Sequence, residues 1–337
     1  MRRIAFAALA CACVSDPPDA AQTSESTTSG AVDTTTTSSS TTDPATTQTT
    51  NATTSSADTT TSTGVEESSS SESGVPDDPG PDLRMPGPHA VTTSEGSATT
   101  TSCTMQYAIA TPRDVPDAPF VVLAHGFQGN RGSMVDWAEH YASWGLAVVT
   151  PDLCHATIAD ADHASNGADL VALAAELGIA SPIYAGYSAG GLASVLAAAQ
   201  DPNAIALVGL DMVDSGGLGA DVAAGVAIPA HDITSEPSMC NSTANGVPVF
   251  DAMADSNTVR IVEADHCDFQ SPGDAFCGLC SAPNPEHTTE SIQSAIRGLS
   301  TGALLWRAGV DPRGASWWTP GGLWYDELFT AGAVVQL

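Results

Sequence analysis

The sequence predicts one doubly wound α/β domain, a mostly parallel sheet of about eight strands with helices on both faces. Three observations lead there. Short β-branched runs alternate with longer helical patterns from about residue 89 onward. The first 88 residues lack the apolar side chains that a second core would need. The remaining 249-residue stretch, 89–337, is long enough for one sizeable core.

The elements follow in order. Residues 105–110 read as an early antiparallel strand, and 120–124 as a compact, buried central one. An amphipathic helix at 133–144 ends before Gly145, and a strand at 147–150 follows. The next helix is 168–177, stopped at Gly178. A strand at 183–187 runs into Gly186-Tyr187-Ser188-Ala189-Gly190-Gly191 and an Ala-rich helix at 192–200. Strands at 204–210, 226–233 and 259–263 and a helix at 289–306 complete the set. Little more than a short connection separates Asp211 from the next strand, so no large lid domain is expected.

The part before the domain divides in two. Residues 1–13 read as an export signal: Arg2 and Arg3, a short apolar run, then small residues with Cys11 and Cys13. Ala8-Leu9-Ala10-Cys11 resembles a bacterial lipoprotein processing site, so Cys11 is a candidate lipidated membrane tether; ordinary secretory cleavage is the competing reading. Residues 14–88 are an acidic Ser/Thr-rich tether that cannot bury enough hydrocarbon to offset the entropy of ordering. No run approaches the ~18 apolar residues of a membrane-spanning helix. The net charge is −30, with no lysine, which disfavours nucleic acid and anionic lipid headgroups as partners.

Six cysteines lie in the domain: Cys103, Cys154, Cys240, Cys267, Cys277 and Cys280. In an exported chain they imply three disulfides, among about 15 possible pairings. Cys277 and Cys280 with His266 and His287 offer a weaker zinc reading, lacking the second Cys pair of most structural sites.

Gly-x-Ser-x-Gly occurs twice, at 186–190 and at 298–302. The second lies inside a helical pattern. The first links a strand to a helix, the setting in which a sharp turn lifts a serine Oγ above a sheet edge, so Ser188 is the nucleophile. The loop after the central strand, His125-Gly126-Phe127, nominates the Phe127 amide for an oxyanion hole, paired with the Ala189 amide after the nucleophile. His125 reads as a local packing and hydrogen-bonding residue.

Residues from about 103 to 308 resemble the α/β-hydrolase superfamily. Within it they are similar to the group of chlorophyllases, platelet-activating-factor acetylhydrolases and cutinase-like polyester hydrolases. The resemblance rests on His125-Gly126-Phe127, the Ser188 turn, Gly209-Leu210-Asp211 and Asp265-His266, in the order those families use.

A general base must follow late in the chain, and His266 lies just after the strand at 259–263; His155 follows an earlier strand and could line the cleft, His163, His231 and His287 have no comparable placement, and these four read as ordinary polar residues. For the acid, the polyester hydrolases imply a position that here holds Ser238. The acetylhydrolases and chlorophyllases imply the preceding strand end, Asp211. Asp211 is the expected acid, Asp214 its main rival, with Glu236 and Asp232 as outside candidates.

The reading is therefore an exported carboxylic ester hydrolase, requiring no metal or organic cofactor, with a small-molecule or polymeric ester as substrate. The alternative is a non-catalytic surface-displayed binding module on the same scaffold, since fold alone never establishes activity. Phe127, Trp137 and Tyr187 could rim a cleft. Trp317, Trp318, Trp324 and Tyr325 read as a clamp for the C-terminal segment.

Overall fold

The computed structural model describes residue 78, residues 80–273, residue 280 and residues 286–337. The export signal, Cys11, nearly all of the tether and Cys277 lie outside the described residues.

Among the described residues nine strands form one sheet: β1 (Val91–Thr99), β2 (Thr104–Pro112), β3 (Phe120–Ala124), β4 (Ala147–Pro151), β5 (Ile183–Tyr187), β6 (Ala206–Leu210), β7 (Ala230–Thr234), β8 (Ser256–Ile261) and β9 (Val334–Gln336). Their order is β1-β2-β4-β3-β5-β6-β7-β8-β9. The six from β4 to β8 are mutually parallel; the β1–β2, β2–β4 and β8–β9 pairs are antiparallel.

Every residue of β4, β5, β6 and β7 is buried, as expected of parallel strands covered on both faces. Alternation along β3 shows how. Val121 and Leu123 face α1 (Val135–Ser143) and α6 (Thr289–Arg307); Val122 and Ala124 face α2 (His163–Glu176) and α3 (Ala189–Gln200). From β3 the chain passes over one face to β4, then over the other to β5. The strand order therefore reverses beside β3. Crevices at the carboxyl ends of strands flanking such a reversal are where open α/β sheets place their sites. The turns after β3 and β5 carry Phe127 and Ser188.

The central strands fall where the sequence predicts them, and several boundaries shift. The helix expected at 133–144 is a 3-10 turn, Arg131–Met134, followed by α1. α2 starts at His163, because the Asp162 carboxylate caps it by accepting from the Ser165 N–H at 3.2 Å. β7 begins only at Ala230, and the connection before it holds the short helix α4 (Leu218–Ala223). α5 (Val247–Asp251), α7 (Leu323–Thr330), β1 and β9 are additional to the reading. β1 is polar and mostly exposed, an edge strand without the alternation that would announce it.

The composition boundary at residue 88 falls too late. Leu83 is only 2% exposed, its carbonyl bonds the His140 ring at 2.9 Å, and the Trp144 Nε1–H donates to the Met85 carbonyl at 3.0 Å. A Pro/Gly-rich segment needs little apolar area when side chains of a neighbouring helix satisfy its backbone. The packed domain includes residues from Gly80 onward.

Cys103–Cys154 and Cys240–Cys280 are the disulfide pairs among the described residues, and Cys267 is also disulfide-bonded. Such crosslinks persist in oxidising compartments. Among the described residues no helix is long and apolar enough to cross a membrane.

Candidate active site

Ser188 follows β5 with φ 54° and ψ −122°, a left-handed conformation that costs a non-glycine residue about 1–3 kcal/mol. The turn is sharp enough that its glycines are obligatory. A Cβ on Gly190 would lie 2.3 Å from the His125 carbonyl oxygen, and one on Gly186 2.3 Å from the Gly190 carbonyl oxygen. The Ser188 N–H is fixed by the Leu210 carbonyl at 3.1 Å.

The Ser188 Oγ lies 2.9 Å from His266 Nε2. His266 opens a 3-10 turn, His266–Phe269, capped by the Asp265 carboxylate, which accepts from the Cys267 N–H at 2.8 Å. The Tyr187 ring lies against the imidazole, centroids 4.8 Å apart. On the far side His266 Nδ1 meets Asp211 Oδ2 at 2.5 Å. Hydroxyl, imidazole and carboxylate form one succession, and all three residues are buried.

Asp211 sits just past β6 in a left-handed conformation, φ 48°, its N–H bonded to the Ile233 carbonyl at 2.7 Å. Its Oδ1 accepts from the Thr234 hydroxyl and the Ser235 N–H, both at 2.8 Å, and Oδ2 from the Ser235 hydroxyl at 2.6 Å. Complete burial alone would raise its pKa. The His266 hydrogen bond and charge, with the two Ser235 donors, outweigh that and hold it below the ordinary aspartate value.

Neighbouring carboxyls go the other way. Asp232, on β7, is completely buried, and burial reinforced by Asp211 and Asp251 pushes it well above the usual range. Burial raises Asp268 to about 6. This region resists negative charge except where donors converge, and they converge on Asp211. Divergent carboxyl environments of this kind separate acid and base roles.

The rivals are committed elsewhere. Asp214 caps α4, accepting from the Gly219 N–H at 2.8 Å. Glu236 pairs with Arg260 at 3.4 Å. His155 bonds Asp160 at 2.7 Å and His287 bonds Glu263 at 2.9 Å. His163 packs edge-on against the Phe127 ring. His231 lies between Trp306 and Trp318, accepts from Arg307 Nε at 2.9 Å, and is lowered to about 3 by burial. Cys280 is crosslinked and His266 faces Ser188, so the zinc reading loses two of its ligands.

Of the two nominated amides, that of Ala189 follows Ser188 directly, and that of Phe127 follows Gly126, where an added Cβ would lie 3.1 Å from the Ser188 Cβ. Ala189 opens α3, where an N–H has no intrahelical acceptor. Among the described residues the Phe127 N–H has no hydrogen-bond acceptor, whereas the next N–H, of Gln128, is tied to the Ala156 carbonyl at 2.6 Å. His125 explains the orientation. Its Nε2 accepts from the Leu153 N–H at 3.0 Å, so Nδ1 carries the proton and donates to the Gly126 carbonyl at 2.8 Å. The Gly129 N–H donates to the same oxygen at 3.0 Å. Peptide planarity then turns the Phe127 N–H to the opposite side from that carbonyl.

Of the three aromatic candidates for a cleft rim, Trp137 is a core residue stacked on Tyr141 and Tyr187 is buried against His266; Phe127 is half-buried. Asn241 and Ser235 beside Asp211, absent from the sequence reading, come from the loop after β7. The signal for that loop was the resemblance itself, which implied an acid there. No protein-family model matches the chain, and no curated protein matches it.

Proposed function

We propose that this chain is an exported serine hydrolase of the α/β-hydrolase type that cleaves carboxylic esters. The observation that carries the reading is the unbroken succession of Ser188 Oγ, His266 and Asp211, at 2.9 and 2.5 Å, built on a strained serine. The strand order, with Ser188 after the strand beside the reversal, supports the same reading, as do the two disulfides for export.

In the proposed reaction Ser188 Oγ attacks the ester carbonyl while His266 Nε2 accepts its proton. Asp211 holds the ring with Nδ1–H toward its carboxylate and stabilises the imidazolium that forms. The Phe127 and Ala189 amides donate to the developing oxyanion. His266 returns the proton to the leaving alcohol. Water, deprotonated by the same imidazole, then attacks the acyl-enzyme and frees Ser188.

The connection between β6 and β7 holds only α4 and has no room for a lid domain, which suits soluble esters or polymer chains lying across a surface. The binding-module alternative rests on the missing acid after β7; the donors converging on Asp211 favour an acid after β6 in its place.

The test is labelling by a fluorophosphonate probe together with hydrolysis of a short p-nitrophenyl ester. Wild-type protein is expected to do both and Ser188→Ala neither. Wild-type protein inert in both assays would overturn the reading.

A further inference from the structure

Asn241 lies in the loop after β7 and is completely buried. Its two ends face different partners. Oδ1 accepts from the Ser238 N–H at 2.8 Å and the Ala244 N–H at 3.0 Å. Nδ2 donates to Ser235 Oγ at 2.9 Å and the Glu236 carbonyl at 3.0 Å, and faces Asp211 Oδ1 at 3.3 Å. With N–H donors on one side and acceptors on the other, the amide has one orientation.

The donor side bears on the acid twice. A serine hydroxyl rotates freely unless its lone pairs are engaged. Nδ2–H directed at Ser235 Oγ turns that hydroxyl's proton toward Asp211 Oδ2, the oxygen that also receives His266. The same NH2 group adds a weaker donor to Oδ1. The loop is built to keep Asn241 there. Cys240 beside it is crosslinked to Cys280, and Ser242, Thr243 and Ala244 are three successive non-glycine residues at φ 51°, 64° and 56°. Such backbone persists only where its surroundings over-determine it.

We propose that Asn241 is a positioning residue for the proposed ester hydrolysis, fixing the Ser235 hydroxyl and through it the Asp211 carboxylate on which His266 is aligned. The assignment rests on the hydrolase reading for its catalytic consequence, and on geometry alone for its effect on the imidazole. A neutral donor is required at this place, because a second carboxylate would compete with Asp211 for the same proton. The titratable groups that face Asp211 are His266, Asp232 on β7 and Asp268 from the His266 turn.

Asn241→Asp separates the two ends of the side chain. It keeps the oxygen that accepts from the Ser238 and Ala244 N–H groups and replaces the NH2 donor by a carboxyl oxygen. Asn241→Ala removes both ends. The measurements are kcat and KM for a p-nitrophenyl ester across pH, thermal unfolding, and the pH titration of the His266 ring by NMR in the full protein.

Asn241→Asp is expected to lower kcat about 10- to 100-fold with KM within about twofold. The His266 titration and the acid limb of the rate profile should move up together by about one pH unit. Asn241→Ala is expected to lower kcat by at least as much and to unfold earlier. An Asn241→Asp protein with wild-type kcat and an unmoved imidazole titration would reduce Asn241 to a loop staple and overturn the proposal. The NMR readout needs no turnover, so it decides the assignment even where wild-type protein hydrolyses no ester, an outcome that sinks the hydrolase reading instead.

Discussion

Two stretches of this chain share the pattern Gly-x-Ser-x-Gly, and their glycines are there for opposite reasons. At 186–190 a Cβ on either glycine would strike backbone carbonyl oxygens at 2.3 Å. At 298–302, inside α6, a Cβ on Gly298 would meet the Trp317 ring at 2.1 Å, and one on Gly302 the Trp317 Cβ at 2.9 Å. The first pair lets a turn close; the second makes a slot for an indole.

The serines differ in the same way. Ser188 is held at φ 54° with Oγ facing an imidazole, whereas Ser300 donates to the Ile296 carbonyl at 2.7 Å and accepts from the Tyr141 hydroxyl at 2.8 Å. Both are buried, so burial does not separate them. What separates them is whether the hydroxyl donates to a carbonyl of its own helix or faces the His266 imidazole.

The largest expected effect tests that separation directly. Ser188→Ala should lower ester turnover by about 10⁴-fold or more, while Ser300→Ala leaves it within about twofold. Equal losses in the two variants would erase the distinction. Asp211→Asn should approach the Ser188→Ala loss, because an amide favours the wrong imidazole tautomer.

The Asp211→Asn variant also carries a pH signature. Asp211 has a lowered pKa in the folded protein, so its ionised form stabilises the fold above the unfolded-state value of about 3.9. That contribution is lost as pH falls through the folded value. In unfolding titrations the stability gap between wild type and Asp211→Asn should therefore narrow as the medium is acidified below about pH 4. A gap independent of pH would contradict an ionised Asp211.

Glycine replacements give the next effect. Gly190→Ala and Gly298→Ala should each destabilise by several kcal/mol, overpacking of this kind costing about 1–3 kcal/mol or more. Rescue should differ. Trp317→Leu empties the slot beside Gly298, so Gly298→Ala/Trp317→Leu should be at least about 1 kcal/mol more stable than the sum of its single changes. No side-chain truncation can relieve Gly190→Ala, whose collision is with main chain. Denaturant unfolding of the four variants decides the matter, and additive Gly298 and Trp317 effects would mean that the slot relaxes by backbone movement.

The same contrast explains what the sequence made legible. β3, β5 and β6 are covered on both faces and so read as apolar runs, and a strand entering Gly-Tyr-Ser-Ala-Gly needs small residues for a reason that can be stated without coordinates. His266 was legible from its place after a late strand. β1 was not, since a Thr- and Ser-rich edge strand buries little beyond Ala98. Asn241 and Ser235 reach Asp211 only because a loop folds back on the end of β7, and no spacing encodes that return. The disulfide pairs are likewise facts of three-dimensional proximity. Leu83 was hidden by its company: one anchoring side chain among prolines and glycines does not alter a composition.

The smallest effect is the one most specific to the second motif. Tyr141→Phe deletes the hydroxyl that donates to Ser300 and leaves the stacking on Trp137 in place. Ser300 keeps its own bond to Ile296, so one neutral hydrogen bond is lost, about 1 kcal/mol. Burial raises the Tyr141 pKa above its ordinary value, so this hydroxyl stays neutral wherever the protein would be assayed. The loss should therefore be the same from about pH 5 to pH 9, with ester turnover unchanged. A fall in kcat at intact stability would instead couple α6 to the Ser188 turn, and the two serines could no longer be treated as independent.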